Sequence, residues 1–464
     1  MRRLVTLAFG LGLLVGGALG ARWLWIAVHV GAGYAAKVTC SLALNSGQNA
    51  AQVFRDYVSR EISPLGPALQ VSVTERGGEA SALGLIRVRA AYRRGLGCTL
   101  VLDGSEERLT LAHGIDLPRR TLDPSVPWPD GSAGPATAPS PEIAAAIDRA
   151  FREPDPPEPD RVRQTTAVVV VHDGHLVAER YAPGYGPDTP MLSWSMAKSV
   201  LASVVGIMVG DGRLALRAPA PVPEWSAPAD PRHAITLDQL LRMSSGLAFD
   251  EHYGAVNDVS RMLFTMPDTG AFAASSRLEV APDTRWSYSS GTANIIARML
   301  RSAFGDDPAA LLRYTNERLF DPVGMTSAFF ELDASGTPIG SSFAFMTARD
   351  WARLGELHRR DGMWNGRRIL PEGWVRYVTT PTPAAPKGRY GAHWWLNAGA
   401  PDDRSKRMWP GLPTDAYEAS GHSGQHVVGV PSAQLVVVRL GLSFPDDGND
   451  GTAELVADVL RALR

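Results

Sequence analysis

A chain of 464 residues is too long for one small domain and leaves room for two or three with a sizeable core. Hydrophobic residues make up 45% and charged residues 20%, which excludes a disordered chain, and the 46 glycines and 35 prolines follow no triplet period, which excludes collagen. Lys+Arg 46 against Asp+Glu 48 leaves a formal charge of −2, so no basic field exists for phosphates and nucleic acid is not an expected partner.

At the N-terminus Arg2 and Arg3 precede residues 4–20, which carry no charge. A basic start followed by an apolar run is an export signal, and small residues at 18–20 offer a cleavage site. Residues 23–30 prolong the apolar character past Arg22, so residues 1–30 read as a signal peptide or as a retained membrane anchor. Arginines at the extreme N-terminus place the body outside the cytoplasm, either periplasmic or anchored in the cytoplasmic membrane facing outward. Cys40 and Cys98, the only cysteines, follow this segment at a spacing that fits no zinc or redox motif. They are a disulfide candidate for an oxidising compartment, worth roughly 4 kcal/mol in the chain-entropy model.

Residues 31–117 read as a small α+β unit, because residues 69–74 and 86–90 alternate apolar with polar as half-buried strands do. Residues 118–160 hold eleven prolines and form a linker that wraps the next domain. It is interrupted by a short helix over 141–151, with Ser140 as cap and Pro141 at its first position. The main domain, residues 161–464, opens with two strands around an Asp173-Gly174 turn and closes with a second hairpin around residues 431–433, then a helix over 452–463. Its middle, about 195–378, is mostly helix and loop. The simplest assembly is an antiparallel sheet built from both ends of the domain with a helical insertion.

Lysine is rare: only Lys37, Lys198, Lys387 and Lys406 occur, and arginine carries the other positive charges. A lysine in an apolar segment can lose its proton, which arginine cannot. Lys198 stands three residues after Ser195 at the start of an apolar helical run, so the two side chains share one helix face. At a helix N-terminus the backbone N–H groups favour an oxyanion, and a buried, neutral lysine can take a serine proton. Tyr288 and Ser290 enter a second helical stretch; a phenol there can relay a proton while the serine hydroxyl holds the lysine. Gly421-His422-Ser423-Gly424-Gln425 precedes a strand whose backbone N–H groups can complete an oxyanion site, with His422 as a group titrating near neutrality.

In the order Ser-x-x-Lys, Tyr-x-Ser, Gly-His-x-Gly, these motifs resemble the serine β-lactamase and penicillin-binding protein superfamily. Within it the chain is most similar to class C-related esterases and 6-aminohexanoate-dimer hydrolases, over roughly residues 166–440. The stretches at 237–247 and 322–325 resemble segments that flank the site in that family. The resemblance implies a β-lactamase-like α+β fold and a small ester or amide substrate. It implies an acyl-enzyme on Ser195, Lys198 as base, Tyr288 as proton relay and Ser290 as their orienting partner. Ser195 and Gln425 would supply the oxyanion N–H groups, with Gly424 and His422 on the substrate side. No metal or cofactor is implied, and the oligomeric state is left open.

Ser290 stands where asparagine is usual and His422 where lysine is usual. Both departures favour the esterase and aminohexanoate branch over β-lactamase or D-Ala-D-Ala carboxypeptidase activity. An unperturbed histidine is mostly neutral at pH 7.5, so carboxylate recognition should be weak, and His422→Lys should strengthen it. A non-catalytic peptide-binding scaffold of the same fold is the rival of another class, and Ser195, Lys198 and Tyr288 argue against it. The loop at 250–258, with His252, Tyr253 and Asp258, and the pair Trp394-Trp395 are further candidates for the cleft.

Overall fold

The computed structural model describes residues 2–102, 115, 117, 120–155, 158, 161–254 and 256–464. Helix α1 (Arg2–Ser46) is continuous across residue 30, with no proline to break it. Its two halves have different surroundings. Leu19, Trp23, Leu24 and Trp25 are exposed, whereas Ala27 and most residues from Val30 to Leu42 are buried in the main core. Glycine makes the close contacts of the second half possible. A Cβ on Gly33 would lie 2.3 Å from Phe264 O, and one on Gly78 would lie 2.9 Å from the Cβ of Cys40. Among the residues whose side chains are described, the exposed part of the helix is therefore residues 19–25, and contact with the core begins at Ile26.

Strands β1 (Leu69–Thr74), β2 (Gly77–Ala82), β3 (Ile86–Arg93) and β4 (Gly97–Val101) form an antiparallel meander. The alternation in β3 buries Ile86, Val88 and Ala90 beneath α1 and leaves Arg87 and Arg89 outside. Cys40 on α1 and Cys98 on β4 are bonded, with their Cα atoms 6.2 Å apart. Beside the disulfide, Lys37 is fully buried against the Glu331 carboxylate, which also accepts from Ser41 Oγ at 2.9 Å, Asn45 Nδ2 at 2.8 Å and Cys98 N at 2.6 Å. Burial lowers the Lys37 pKa and Glu331 opposes that. This lysine ties the N-terminal unit to the body rather than serving chemistry.

Within the proline-rich stretch, Pro118, Pro156, Pro157 and Pro159 lie outside the described residues. Trp128 is buried, donating to Arg349 O at 3.3 Å. Helix α2 (Pro141–Ala150) starts as its sequence reads, with Ser140 Oγ accepting from Ile143 N.

The central sheet has six antiparallel strands. These are β5 (Thr165–His172), β6 (His175–Tyr181), β7 (Trp395–Leu396), β8 (Tyr417–Gly421), β9 (Gln425–Val430) and β10 (Leu435–Gly441), in the spatial order β7-β8-β9-β10-β5-β6. Strands from both ends of the domain meet where β10 pairs with β5. Asp173 and Gly174, both with positive φ, make the tight turn between β5 and β6. Helix α2 and the closing helix cover one face; the opposite face packs on the helical insertion, so β5 is buried on both sides. The insertion also contains a small sheet of residues 191–192, 344–346 and 329–330, which the sequence pattern does not reveal.

Candidate active site

Ser195 lies in a 3₁₀ turn, Trp194–Met196, that feeds helix α3 (Ala197–Gly210). In a 3₁₀ turn residues three apart nearly eclipse, which brings the Ser195 and Lys198 side chains together. Residues 191–194 and 196–200 are buried, and Ser195 alone in that stretch reaches the surface. Trp194 holds φ +43°, a left-handed backbone that a bulky residue adopts only where its surroundings impose it. Its indole is fixed by donating to Tyr57 Oη at 3.0 Å.

Lys198 Nζ lies 3.0 Å from Ser195 Oγ, 3.1 Å from Ser290 Oγ and 3.0 Å from Ser341 O. It sits 4.7 Å from the centre of the Tyr288 ring, whose buried hydroxyl is raised by desolvation and by Glu251, with a small opposing pull from Ser195. Burial pulls the lysine down to about 8, against a partial upward pull from Glu251. Ser290, the first residue of helix α4 (Ser290–Ser302), passes the network on: its N–H meets Glu251 Oε2 at 2.7 Å and its hydroxyl meets Oε1 at 2.5 Å. Burial raises the Glu251 carboxyl, partly offset by Lys198. Both shifts favour the uncharged pair.

Glu251 was absent from the candidates read in sequence, although its loop was among them. Of the loop residues that were, His252 is 94% exposed and bonded to Asp250. Asp258 accepts from Asp250 N and holds the loop closed. Tyr253 reaches the cleft and stacks on His422 with centroids 5.3 Å apart. Trp394 is buried core, whereas Trp395 stacks on Tyr288 at 5.3 Å and, with Trp286 and Tyr390, forms an aromatic wall beside it.

The strand end lies on the other side. Gly421 abuts the Ser195 turn so closely that a Cβ there would stand 3.2 Å from Ser195 N. Ser423 and Gly424 have positive φ and turn the chain into β9. The Gln425 side chain points into the sheet, donating to Ser423 O at 3.1 Å.

His422 is not the neutral group its residue type suggests. Its Nδ1 lies 2.6 Å from Asp446 Oδ2 and its Nε2 lies 2.8 Å from Glu61 Oε2. Burial alone would lower it, but the two carboxylates hold it up to about 10. It is therefore an imidazolium with both donors engaged, and a lysine placed there would meet the same two acids.

The described residues contain no group of three or more acidic, histidine or cysteine side chains arranged for a metal. A model of the Beta-lactamase family matches residues 145–461, more than half of the chain. The chain belongs to the beta-lactamase family. It is 25% identical over 331 residues to a 6-aminohexanoate-dimer hydrolase of Paenarthrobacter ureafaciens, covering 64% of this chain and 79% of that one. A Bacillus anthracis structure, proposed to be a 6-aminohexanoate-dimer hydrolase, superposes with a TM-score of 0.58 at 20% identity, covering 78% of this chain and 95% of its own. A family VIII carboxylesterase superposes at 0.53 with 16% identity, covering 70% and 98%. The fold is thus β-lactamase-like α+β, and at family level the protein is a hydrolase.

Proposed function

We propose that the protein is a serine hydrolase that cleaves a small uncharged or cationic ester or amide through an acyl-enzyme on Ser195. The observation that carries this reading is the buried Lys198 amine 3.0 Å from Ser195 Oγ, lowered to about 8. A neutral amine takes the serine proton as Oγ attacks the carbonyl. The oxyanion is received by the N–H groups of Ser195 and Gln425. The Tyr288 hydroxyl, close to both Lys198 and Ser195, hands its proton to the leaving group and takes back the one Lys198 had accepted. Water then enters along the same path in reverse and frees the acid. Glu251, reached through Ser290, pulls the Lys198 pKa upward and so sets the pH above which the base is available.

With the Lys198–Glu251 pair shifted toward its uncharged form, Glu61 and Asp446 outnumber the one His422 cation beside them, which favours neutral or amine-bearing substrates over carboxylates. The 6-aminohexanoate dimer in the name of the Paenarthrobacter relative is an amide with a terminal amine and a terminal carboxylate, so it supports amide cleavage and not the preference against anions. The β-lactamase reading fares worse because His422 has no donor free for a substrate carboxylate. Purified protein should hydrolyse short p-nitrophenyl esters and lose that activity in Ser195→Ala; turnover kept in the variant would refute the assignment.

Exposed Leu19, Trp23, Leu24 and Trp25 and the uncharged run at 4–20 support an export signal or anchor, and the Cys40–Cys98 bond accords with an oxidising compartment. Retention in a carbonate-washed membrane fraction, lost on deleting residues 1–20, is the outcome for an anchor. Recovery of the full-length chain in the soluble fraction would contradict it.

A further inference from the structure

His422 borders whatever is acylated on Ser195. It follows Gly421, the residue packed against Ser195 N, and its ring meets Trp194 edge-on at 5.4 Å and Tyr253 face to face at 5.3 Å. Imidazole donates from both nitrogens only when protonated, and here each nitrogen faces a carboxylate oxygen. The two acids have different origins. Asp446 comes from the hydrolase body, whereas Glu61 ends the helical stretch after α1, far upstream of residue 145, where the family match begins.

Glu61 is held in place rather than lying there by chance. Four residues before it, Tyr57 is fully buried, accepts from Trp194 Nε1 at 3.0 Å and shares a hydrogen bond with Ser423 Oγ at 3.0 Å. The N-terminal unit thus grips the residues on either side of the site, Trp194 before the nucleophile and Ser423 after His422. The Glu61 side chain is only 10% exposed, and its second oxygen, Oε1, is buried with no hydrogen-bond partner. A carboxylate desolvated to that extent, with one oxygen unpaired, costs free energy that its bond to His422 must offset. Its contact with the imidazolium is the one a substrate carboxylate would make.

We propose that Glu61 is a specificity-determining residue: it occupies, from within the chain, the anion position on His422 beside Ser195, and so excludes carboxylate-bearing substrates. The inference rests on Ser195 being the nucleophile. An arriving anion finds no free N–H on His422 and meets two carboxylates against one imidazolium; a neutral ester is indifferent to both. Removing the Glu61 carboxylate leaves a cation with one unpaired N–H and a carboxylate-sized space before it. By the same logic His422→Lys alone gains nothing, because Glu61 remains.

The test uses the full-length chain and its Glu61→Ala and Glu61→Gln variants. For each protein the kcat/KM ratio is measured for nitrocefin, an anionic cephalosporin, and p-nitrophenyl butyrate, a neutral ester. Because both rates come from one preparation, a loss of folded protein cancels. The ratio should rise about 10–100-fold in Glu61→Ala, the range of a hydrogen bond to a charged group. Sodium benzoate should become a competitive inhibitor of ester hydrolysis in the variant while leaving the wild type untouched. An unchanged or lower ratio in both variants, or millimolar competitive inhibition of the wild type by benzoate, overturns the proposal. Fluorophosphonate labelling of Ser195 separates the two claims, since failure to label the wild type would overturn the nucleophile rather than Glu61.

Discussion

The Lys198–Ser290–Glu251 relay makes a signed prediction about pH. Only the neutral amine accepts the Ser195 proton, so kcat/KM should rise with pH through the Lys198 value of about 8. Glu251 is the group that pulls that value upward, so Glu251→Gln should move the acid limb down. Bonds of 3.1 and 2.5 Å through Ser290 Oγ put the amine no more than about 5.6 Å from the Glu251 oxygen. A full charge at that distance, in an effective dielectric near 20, is worth about 3 kcal/mol, or roughly two pKa units. Burial raises the Glu251 carboxyl, so it bears only part of a charge as Lys198 titrates, and the expected shift is about one to two units. Glutamine still reaches both Ser290 groups, so the plateau rate at high pH should stay within about tenfold of wild type. The assay is kcat/KM for a neutral ester between pH 5 and 10 in both proteins. An acid limb that stays put or moves up would refute the relay. Loss of turnover at every pH would refute it too, by making Glu251 itself the essential base.

Three further outcomes can be checked with single variants. Lys198→Arg keeps the charge but cannot accept a proton, and should lower kcat by about 10²–10⁴-fold at every pH; near wild-type rates would remove Lys198 as base. Lys37→Met leaves Glu331 buried without its cation and should destabilise the fold by about 3–5 kcal/mol in a denaturant titration, with no effect on the rate of the folded fraction; an unchanged midpoint would contradict the buried pair. Cys40 and Cys98 should resist alkylation in native exported protein, and replacing both by serine should cost roughly 4 kcal/mol for a loop of 58 residues; two freely alkylated thiols would contradict the bond.

What the sequence makes legible here is what depends on neighbours along the chain. The three-residue spacing of Ser195 and Lys198 is a helix property, and the Asp173-Gly174 turn and the Ser140 cap are set within four residues. The contacts it hides are long-range. Glu251 acts on Ser290, 39 residues later, from an irregular loop whose acidic residues have no periodicity to separate the one that reaches Ser290 from its neighbours. Glu61 and His422 are 361 residues apart, and nothing in a Gly-His-Ser-Gly motif records that two carboxylates converge on its histidine. Residue type alone therefore suggests a neutral His422, whereas two carboxylates hold it protonated, and the proposal of weak carboxylate binding now rests on an imidazolium whose donors are already engaged. Lys37 shows the complementary case. The rarity of lysine gives it interest, but only the fold tells a buried structural ion pair from a base.

The central claim is that Ser195 carries the acyl group, and trapping that intermediate tests it most directly. Wild-type protein mixed with excess p-nitrophenyl butyrate and quenched in acid within the first turnovers should show one added butyryl group by intact mass. Peptide mapping should then place the acyl group on Ser195. In Lys198→Arg the adduct should form far more slowly, and in Ser195→Ala not at all. A butyryl group on another residue, or ester turnover in Ser195→Ala without any adduct, would contradict the account.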